Sequence, residues 1–196
     1  ADAQLLVGVR ALVDAKRAVG REREVEQVDV EAAVASVVRQ RPVAQPAPQA
    51  PPMLEKWTQA AVYDGHVLFH GPRFQVIDSV KGVSREGIVG TLSGTQKSVW
   101  PAEAWRSDAA AMDGGLQLAL LWSRHVLGGA VLPMAMGEYR SYREGLAEGP
   151  VQGVGHGRKV FDQRTVCDIA FSDESGQVLA ELIGVETVLR PGDAKN

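Results

Sequence analysis

One apolar stretch, residues 107–128 (SDAAAMDGGLQLALLWSRHVLG), limits the folds open to this chain more than any other segment. Its alanines, leucines, Met112 and Trp122 cover nearly the whole circumference of a helix, and a helix that is apolar all round belongs in the interior. Asp108, or Ser107, is the predicted N-cap, and Gly128 is the predicted stop. We therefore predict one long buried helix around which the rest of the chain is organised.

Two polar residues interrupt this helix. Asp113 and Gln117 are four positions apart, so they share one face. A carboxylate on a buried helix is costly unless it is paired, hydrogen-bonded or neutral, and a carboxylic acid kept neutral near pH 7 can donate a proton. Asp113 is thus a candidate general acid. The alternative is a structural Asp113 that caps a neighbouring loop with Gln117 as its partner.

Composition excludes several classes of protein. The 196 residues carry a formal net charge of −3 without a basic cluster, so nucleic acid is not an expected partner. The sequence has neither an apolar run long enough for a membrane span nor a signal peptide, and we expect a cytoplasmic protein. Cys167 is the single cysteine, which excludes an intrachain disulfide, and its alternating neighbours predict a buried, inert thiol. Because the sequence lacks an initiator Met, we expect a piece of a longer polypeptide.

A proline-rich segment divides the chain. Residues 41–52 (RPVAQPAPQAPP) favour an extended, semi-rigid path and predict a linker. Residues 1–40 contain a predicted strand at 5–15, a half-exposed strand or turn at 19–30, and a segment at 31–38 that could be helix or strand but whose valines favour a strand. Three such strands are too few for a core of their own. Residues 53–191 form the second and larger predicted unit.

The second unit has the pattern of a helix among antiparallel strands. A short amphipathic helix is predicted at 53–62, and a glycine-rich connection at 150–156. Cys167, Ile169 and Phe171 are expected on one strand face, and Ile183, Val185 and Leu189 on another. The other predicted elements are a strand starting near Phe74, a turn at 82–87 with its return at 88–92, strands at 130–136, 138–143, 159–171 and 178–189, and a turn at 172–177. This α+β pattern predicts an antiparallel sheet wrapped around the central helix, the hot-dog fold.

Three motifs in this unit resemble those of one enzyme family. Residues 68–75 (LFHGPRFQ) resemble the Tyr-Gly-Pro-x-Phe motif of polyketide synthase dehydratase domains, with His70 in the place of the Tyr. Residues 113–117 (DGGLQ) match their Asp-x-x-x-Gln/His motif. Leu132-Pro133 matches the start of their Leu-Pro-Phe-x-Trp motif, although Met134 and Met136 replace Phe and Trp. The sequence of residues 68–75 is most similar to that in the dehydratases of iterative synthases, those of enediyne and polyunsaturated fatty acid pathways.

The resemblance implies a double hot-dog in which residues 1–40 end the first unit. It also implies dehydration of a β-hydroxyacyl chain, with Asp113 as the general acid and Gln117 orienting Asp113 or holding the hydroxyl. The base would be a His in the upstream unit. Substrate contacts are implied for His70, Gly71, Pro72, Phe74, Leu132 and Pro133.

The same resemblance implies partners but no cofactor and no metal. The substrate would arrive on the phosphopantetheine arm of an acyl carrier protein. The other implied partners are further synthase domains, among them the upstream hot-dog half, and a second copy of the chain in a homodimer.

The sequence is also compatible with two other functions. A non-catalytic hot-dog unit that binds acyl chains or acts as a scaffold, and a single hot-dog thioesterase, are the alternative functions. His125 is interpreted as a cation at the C-terminal end of the helix. His66 and His70 are interpreted as packing or pocket residues rather than metal ligands, and Arg73 as a surface ion-pair residue rather than a phosphate ligand.

Overall fold

The computed structural model describes residues 46, 48–58, 61–63, 65, 68–97 and 107–190. The strands predicted at 5–15, 19–30 and 31–38 lie outside these residues, as does His66. A 3-10 turn at Pro72–Phe74 precedes β1. The elements that follow are β1 (Ile77–Ser84), β2 (Gly87–Leu92), α1 (Ala109–Leu127), β3 (Val131–Ala135), β4 (Glu138–Ser141), β5 (Val151–Val160), β6 (Arg164–Ser172) and β7 (Val178–Leu189).

One antiparallel sheet contains all seven of these strands. Its order is β1-β2-β5-β6-β7-β3, and β4 also pairs with β7. Helix α1 packs against strands from β1 at one edge to β3 at the other. The predicted α+β arrangement, a sheet wrapped around one central helix, is confirmed.

The ends of α1 follow from local sequence rules. Asp108 is the N-cap, and its side chain accepts from the N–H of Ala111 at 3.0 Å. Gly128 ends the helix in the left-handed conformation, with φ 76°, and donates its N–H to the carbonyl of Arg124. His125 lies in the last turn, where the helix dipole favours a cation. Between these ends Trp122 and Leu118 through Leu121 are buried, whereas Met112, Leu116, Val126 and Leu127 are half-buried.

The glycine-rich connection predicted at 150–156 is wrong. Residues 151–156 form the first part of β5 instead. Gly153, Gly155 and Gly157 alternate along the strand, so they share one of its sides. A Cβ at Gly153 would lie 2.6 Å from Leu118, and one at Gly157 would lie 2.3 Å from Trp122. The glycines are therefore needed so that α1 can approach the sheet closely.

A bulge in β7 overturns the predicted face of this strand. Gly184 has φ 67°, and its N–H donates to Asp168 at 2.8 Å. The pairing with β6 shifts between Leu182 and Val185, so the inward side changes parity there. Leu182 is consequently buried in place of Ile183, and Thr187 is fully buried on the same side as Val185 and Leu189.

The helix predicted at 53–62 is wrong for the residues described there. Glu55 and Val83 exchange both backbone hydrogen bonds, at 2.9 and 3.0 Å, so this segment extends beside β1 instead. The expected strand at 159–171 is likewise two strands, because a turn at residues 161–163 separates β5 from β6. By contrast, the face with Cys167, Ile169 and Phe171 and the turn after Ser172 are confirmed.

The described part of the proline-rich segment lies against the sheet. The backbone carbonyl of Gln49 lies 2.9 Å from the ring Nε2 of His156 on β5, at hydrogen-bond distance. Pro46 forms a bridge with Gln177, and Pro51 is buried close to Gly87. These contacts fix the direction in which the segment approaches the larger unit.

Cys167 has the environment of a packing residue. It is 1% exposed, and burial raises the pKa of its thiol to about 12. The thiol therefore stays protonated and unreactive in the folded chain. No helix among the described residues is long and apolar enough to cross a membrane.

Replacement of Gly115 by Ala is expected to lower the free energy of unfolding by about 2 kcal/mol. A Cβ at Gly115 would lie 2.3 Å from the buried ring of Phe171, and such overpacking costs about 3 kcal/mol against a gain of about 1 kcal/mol in helix propensity. Gly114→Ala is the matched control, since its Cβ would lie 2.9 Å from the nearest methyl group of Leu92 and 3.2 Å from that of Val76, a much smaller overlap. Equal urea midpoints for the two variants would show that close packing of Gly115 against Phe171 is not what requires a glycine there.

Candidate active site

Asp113 and Gln117 lie on the face of α1 that meets the turn before β1. The Nε2 of Gln117 donates to Oδ2 of Asp113 at 2.6 Å and to the backbone carbonyl of Phe74 at 2.7 Å. Gln117 is 1% exposed, whereas Asp113 is only partly buried. The carboxyl group is thus held from the protein side and can still be reached from outside.

Burial is the largest influence on Asp113 and raises the pKa of its carboxyl group. The hydrogen bond from Gln117 and the charge of His70 both act in the opposite direction, because they favour the carboxylate. The net shift of the pKa is upward. A larger fraction of Asp113 therefore keeps its proton near neutral pH than an exposed aspartic acid would.

His70 lies beside this pair. Its ring stacks on Phe69 with centroids 5.6 Å apart, and its Nδ1 is buried without a hydrogen-bond partner among the described residues. A buried ring nitrogen without a partner is uncommon. The other described histidines are elsewhere, His125 in the last turn of α1 and His156 against Gln49.

The surface next to His70 is open and apolar. Phe69 and Phe74 are 75% and 47% exposed, and a Cβ at Gly71 would meet nothing within 4 Å. Gly71 and Pro72 start the 3-10 turn that brings the Phe74 carbonyl to Gln117. Neither steric space nor an unusual φ requires glycine at this position.

The structure brings together most of the residues singled out from the sequence. Gln117 links Asp113 to Phe74, and residues 70–72 lead into the same turn. Leu132 and Pro133 are not part of this cluster. They lie on β3, at the sheet edge opposite β1, where they pair with residues 187–188 of β7.

Tyr63 completes the cluster, although the sequence analysis did not single it out. Its hydroxyl donates to Oε1 of Gln117 at 2.6 Å and accepts from the N–H of Ile77 at 2.8 Å. No local pattern points to this contact, because Tyr63 and Gln117 are 54 positions apart.

A concave region lies near the start of α1. This cavity of about 30 Å³ lies between the N-terminal turn of α1 and the β4–β5 connection, with Asp108, Tyr139 and Arg143 in its wall. None of the residues that line it belongs to the cluster around Asp113 and Gln117.

With this geometry in hand, comparison with known proteins identifies the family. The family model for the polyketide synthase dehydratase N-terminal domain matches residues 40–195. The chain belongs to this dehydratase family. The family model describes an N-terminal domain, whereas the motif order predicts the second hot-dog unit, so the assignment of this dehydratase chain to one half stays a prediction.

Solved dehydratase domains share the fold. The dehydratase domain from the CurJ module of the curacin polyketide synthase superimposes with a TM-score of 0.58 at 15% identity, over 79% of this chain and 55% of that one. A trans-AT polyketide synthase dehydratase domain from Brevibacillus brevis gives a TM-score of 0.55 at 20% identity, over 79% and 56% of the two chains. The dehydratase-family chain therefore has the hot-dog fold and spans a little over half the length of these domains.

One curated relative is similar in sequence. A polyunsaturated fatty acid synthase subunit from a Thraustochytrium species is 36% identical over an 80-residue alignment, which covers 38% of this chain and 3% of that much longer polypeptide. The dehydratase-family chain thus corresponds to a very small part of this relative.

Proposed function

We propose that this chain supplies the acid half of a β-hydroxyacyl dehydratase. A base on another hot-dog unit takes the proton α to the thioester carbonyl. Asp113 gives its proton to the β-hydroxyl, the C–O bond breaks, and the products are the α,β-enoyl thioester and one water. The residues that act on the leaving group are Asp113 and, through its hydrogen bond, Gln117.

The observation that carries this proposal is the Asp113–Gln117 pair on the buried helix. A general acid needs a proton at neutral pH and access to its substrate. Burial of Asp113 raises the pKa of its carboxyl group, and its partial exposure leaves one side open. The side chain of Gln117 holds Oδ2 at 2.6 Å, so the acid keeps one orientation.

The open apolar surface beside Asp113 suits an acyl thioester. Phe69 and Phe74 are large apolar side chains in contact with solvent, and such surface is usually covered by a ligand or a partner. Gly71 leaves space between them. His70 borders this surface, with its ring stacked on the exposed Phe69, and would contact the acyl chain there. Leu132 and Pro133 would contact a more distant part of the substrate.

The partners of this half follow from what the mechanism needs. The base would be a histidine of an upstream hot-dog unit, which also covers the open surface. An acyl carrier protein would present the substrate on its phosphopantetheine arm, so the reaction needs no cofactor of its own. The similarity to a fatty acid synthase subunit supports other synthase domains as neighbours.

The direct test is a substrate assay on the native synthase polypeptide that contains this chain. A β-hydroxyacyl carrier protein is incubated with it, and the carrier-bound product is measured by mass spectrometry. Loss of one water from the acyl chain, and its re-addition to the enoyl product, is the expected result. Hydrolysis of the thioester without dehydration would instead identify a thioesterase, and an unchanged acyl chain would identify a scaffolding unit.

A further inference from the structure

Tyr63 stands at the head of a chain of hydrogen bonds that ends on Asp113. The N–H of Ile77 reaches the Tyr63 oxygen at 2.8 Å, and the Tyr63 hydroxyl reaches Oε1 of Gln117 at 2.6 Å. The Nε2 of Gln117 then reaches Oδ2 of Asp113 at 2.6 Å. Two side chains, Tyr63 and Gln117, thus link the start of β1 to Asp113 on α1.

At both ends of this hydrogen-bond network, a backbone group determines which partner donates and which accepts. An amide N–H can only donate, so the Tyr63 oxygen accepts from Ile77 and its one proton points to Gln117. A carbonyl oxygen can only accept, so the Phe74 carbonyl, 2.7 Å away, faces the NH₂ group of Gln117. The second proton of this NH₂ group is therefore directed at Asp113.

We propose that Tyr63 is a positioning residue for Asp113, which holds the Gln117 amide so that Oδ2 of Asp113 must accept and the acid proton must reside on Oδ1. This inference rests on the proposed function for its catalytic meaning. A proton confined to one oxygen is delivered in one direction. The β-hydroxyl would accordingly bind on the Oδ1 side of the carboxyl group.

The hydrogen-bond direction holds over the physiological pH range. Burial raises the pKa of Tyr63 to about 12, so its hydroxyl keeps the proton that it donates. The titratable groups that face the pair are His70, which acts on Asp113, and Asp78, which acts on Tyr63 together with Asp113 itself. The carboxylate of Asp78 is occupied by Ser93 and Lys97.

Loss of the Tyr63 hydroxyl should change the pKa of Asp113 in one direction. The Gln117 hydrogen bond favours the carboxylate and lowers the pKa of Asp113. Without Tyr63 the Gln117 amide is held at one end only, so this hydrogen bond weakens. The pKa of Asp113 should then rise further.

The experiment is a titration of Asp113 by ¹³C-carboxyl NMR in the full 196-residue chain, with the Asp113→Asn spectrum for assignment. We expect Tyr63→Phe to lower the acid ionisation constant of Asp113 by about threefold, a change of about half a pKa unit. Tyr142→Phe is the matched control, because it removes a tyrosine hydroxyl bonded to Glu181, outside the cluster. An unchanged Asp113 midpoint in folded Tyr63→Phe would overturn the proposal.

A second variant keeps the test decisive if Tyr63→Phe does not fold. A 3-fluorotyrosine placed at position 63 keeps the shape of the ring and makes the hydroxyl a stronger donor. The proposal requires the Asp113 midpoint to shift downward, opposite to the Phe variant. The absence of a shift would overturn the proposal as surely as an unchanged midpoint in the Phe variant.

Kinetics separate this proposal from the proposed function. In an active dehydratase, Tyr63→Phe should lower kcat about tenfold with KM unchanged, and the basic limb of the pH profile should move to higher pH. A purely structural role would lower thermal stability without moving that limb. A chain without any dehydratase activity would contradict the proposed function, while the NMR titration would still decide the role of Tyr63.

Discussion

Asp113→Asn is expected to lower the rate of dehydration about a thousand-fold, within the range of about 10² to 10⁴ that general acid catalysis contributes. The amide has the shape of the acid and can still accept from Nε2 of Gln117, but it has no acidic proton for the departing hydroxyl. Steady-state assays with a carrier-bound β-hydroxyacyl substrate provide the measurement. KM should change little, because the substituted group acts on the transition state.

The same variant should fold normally and gain stability at neutral pH. The pKa of Asp113 is raised in the folded chain, so ionisation above the unfolded-state pKa costs folding free energy that Asn does not incur. The gain should disappear below about pH 4, where the acid is neutral in both states. Asp162→Asn, on the exposed β5–β6 turn, is the control. Dehydration within threefold of the unmodified chain would remove Asp113 from the mechanism.

Asp108→Ala is expected to lower the free energy of unfolding by about 3 kcal/mol. The variant loses the N-cap of α1, and it also leaves hydrogen-bond donors in the neighbouring loops without their acceptor. The Asp108 carboxylate accepts from the backbone N–H groups of Thr95, Ala111 and Ala147 at 2.9, 3.0 and 3.1 Å. It also accepts from the Thr95 hydroxyl at 2.9 Å. The residue therefore joins the start of α1 to two loops.

Thermal unfolding measures this effect as a fall in Tm of roughly 10 °C for a chain of this size. Asp108→Asn keeps one acceptor oxygen and should lose less, whereas Asp162→Ala, on the surface, should lose almost nothing. The prediction is wrong if Asp108→Ala melts within about 2 °C of the unmodified chain, since such a shift corresponds to a loss of no more than about 1 kcal/mol.

The features that the sequence predicted best are those that local rules determine. Both ends of α1 follow from a single capping residue each, Asp108 and Gly128, and the candidate acid and its partner follow from a spacing of four within that helix. The turn after Ser172 follows from Asp173, which accepts from the backbone N–H groups two and four positions further on. In each case the deciding contacts lie within a few positions of one another.

Contacts between distant segments account for what the sequence did not predict. Glu55 is drawn into backbone pairing by Val83, which overrides the helical pattern of its neighbours. The faces of β7 change at Gly184 because a single left-handed residue inserts a bulge. Tyr63 reaches Gln117 only once the sheet and the helix have packed together. Periodicity within one segment carries no information about such pairs.

The glycines of β5 also affect where the Asp113 carboxyl group lies. Leu118 and Trp122 rest on Gly153 and Gly157, on a different face of the helix from Asp113. A Cβ at Gly157 would lie 2.3 Å from the Trp122 ring, so a methyl group there must displace this ring or shift the helix that also carries Asp113. Under the proposed function, substitutions in β5 would therefore change where the Asp113 carboxyl group lies without changing its chemistry, and a library of β5 variants would test this.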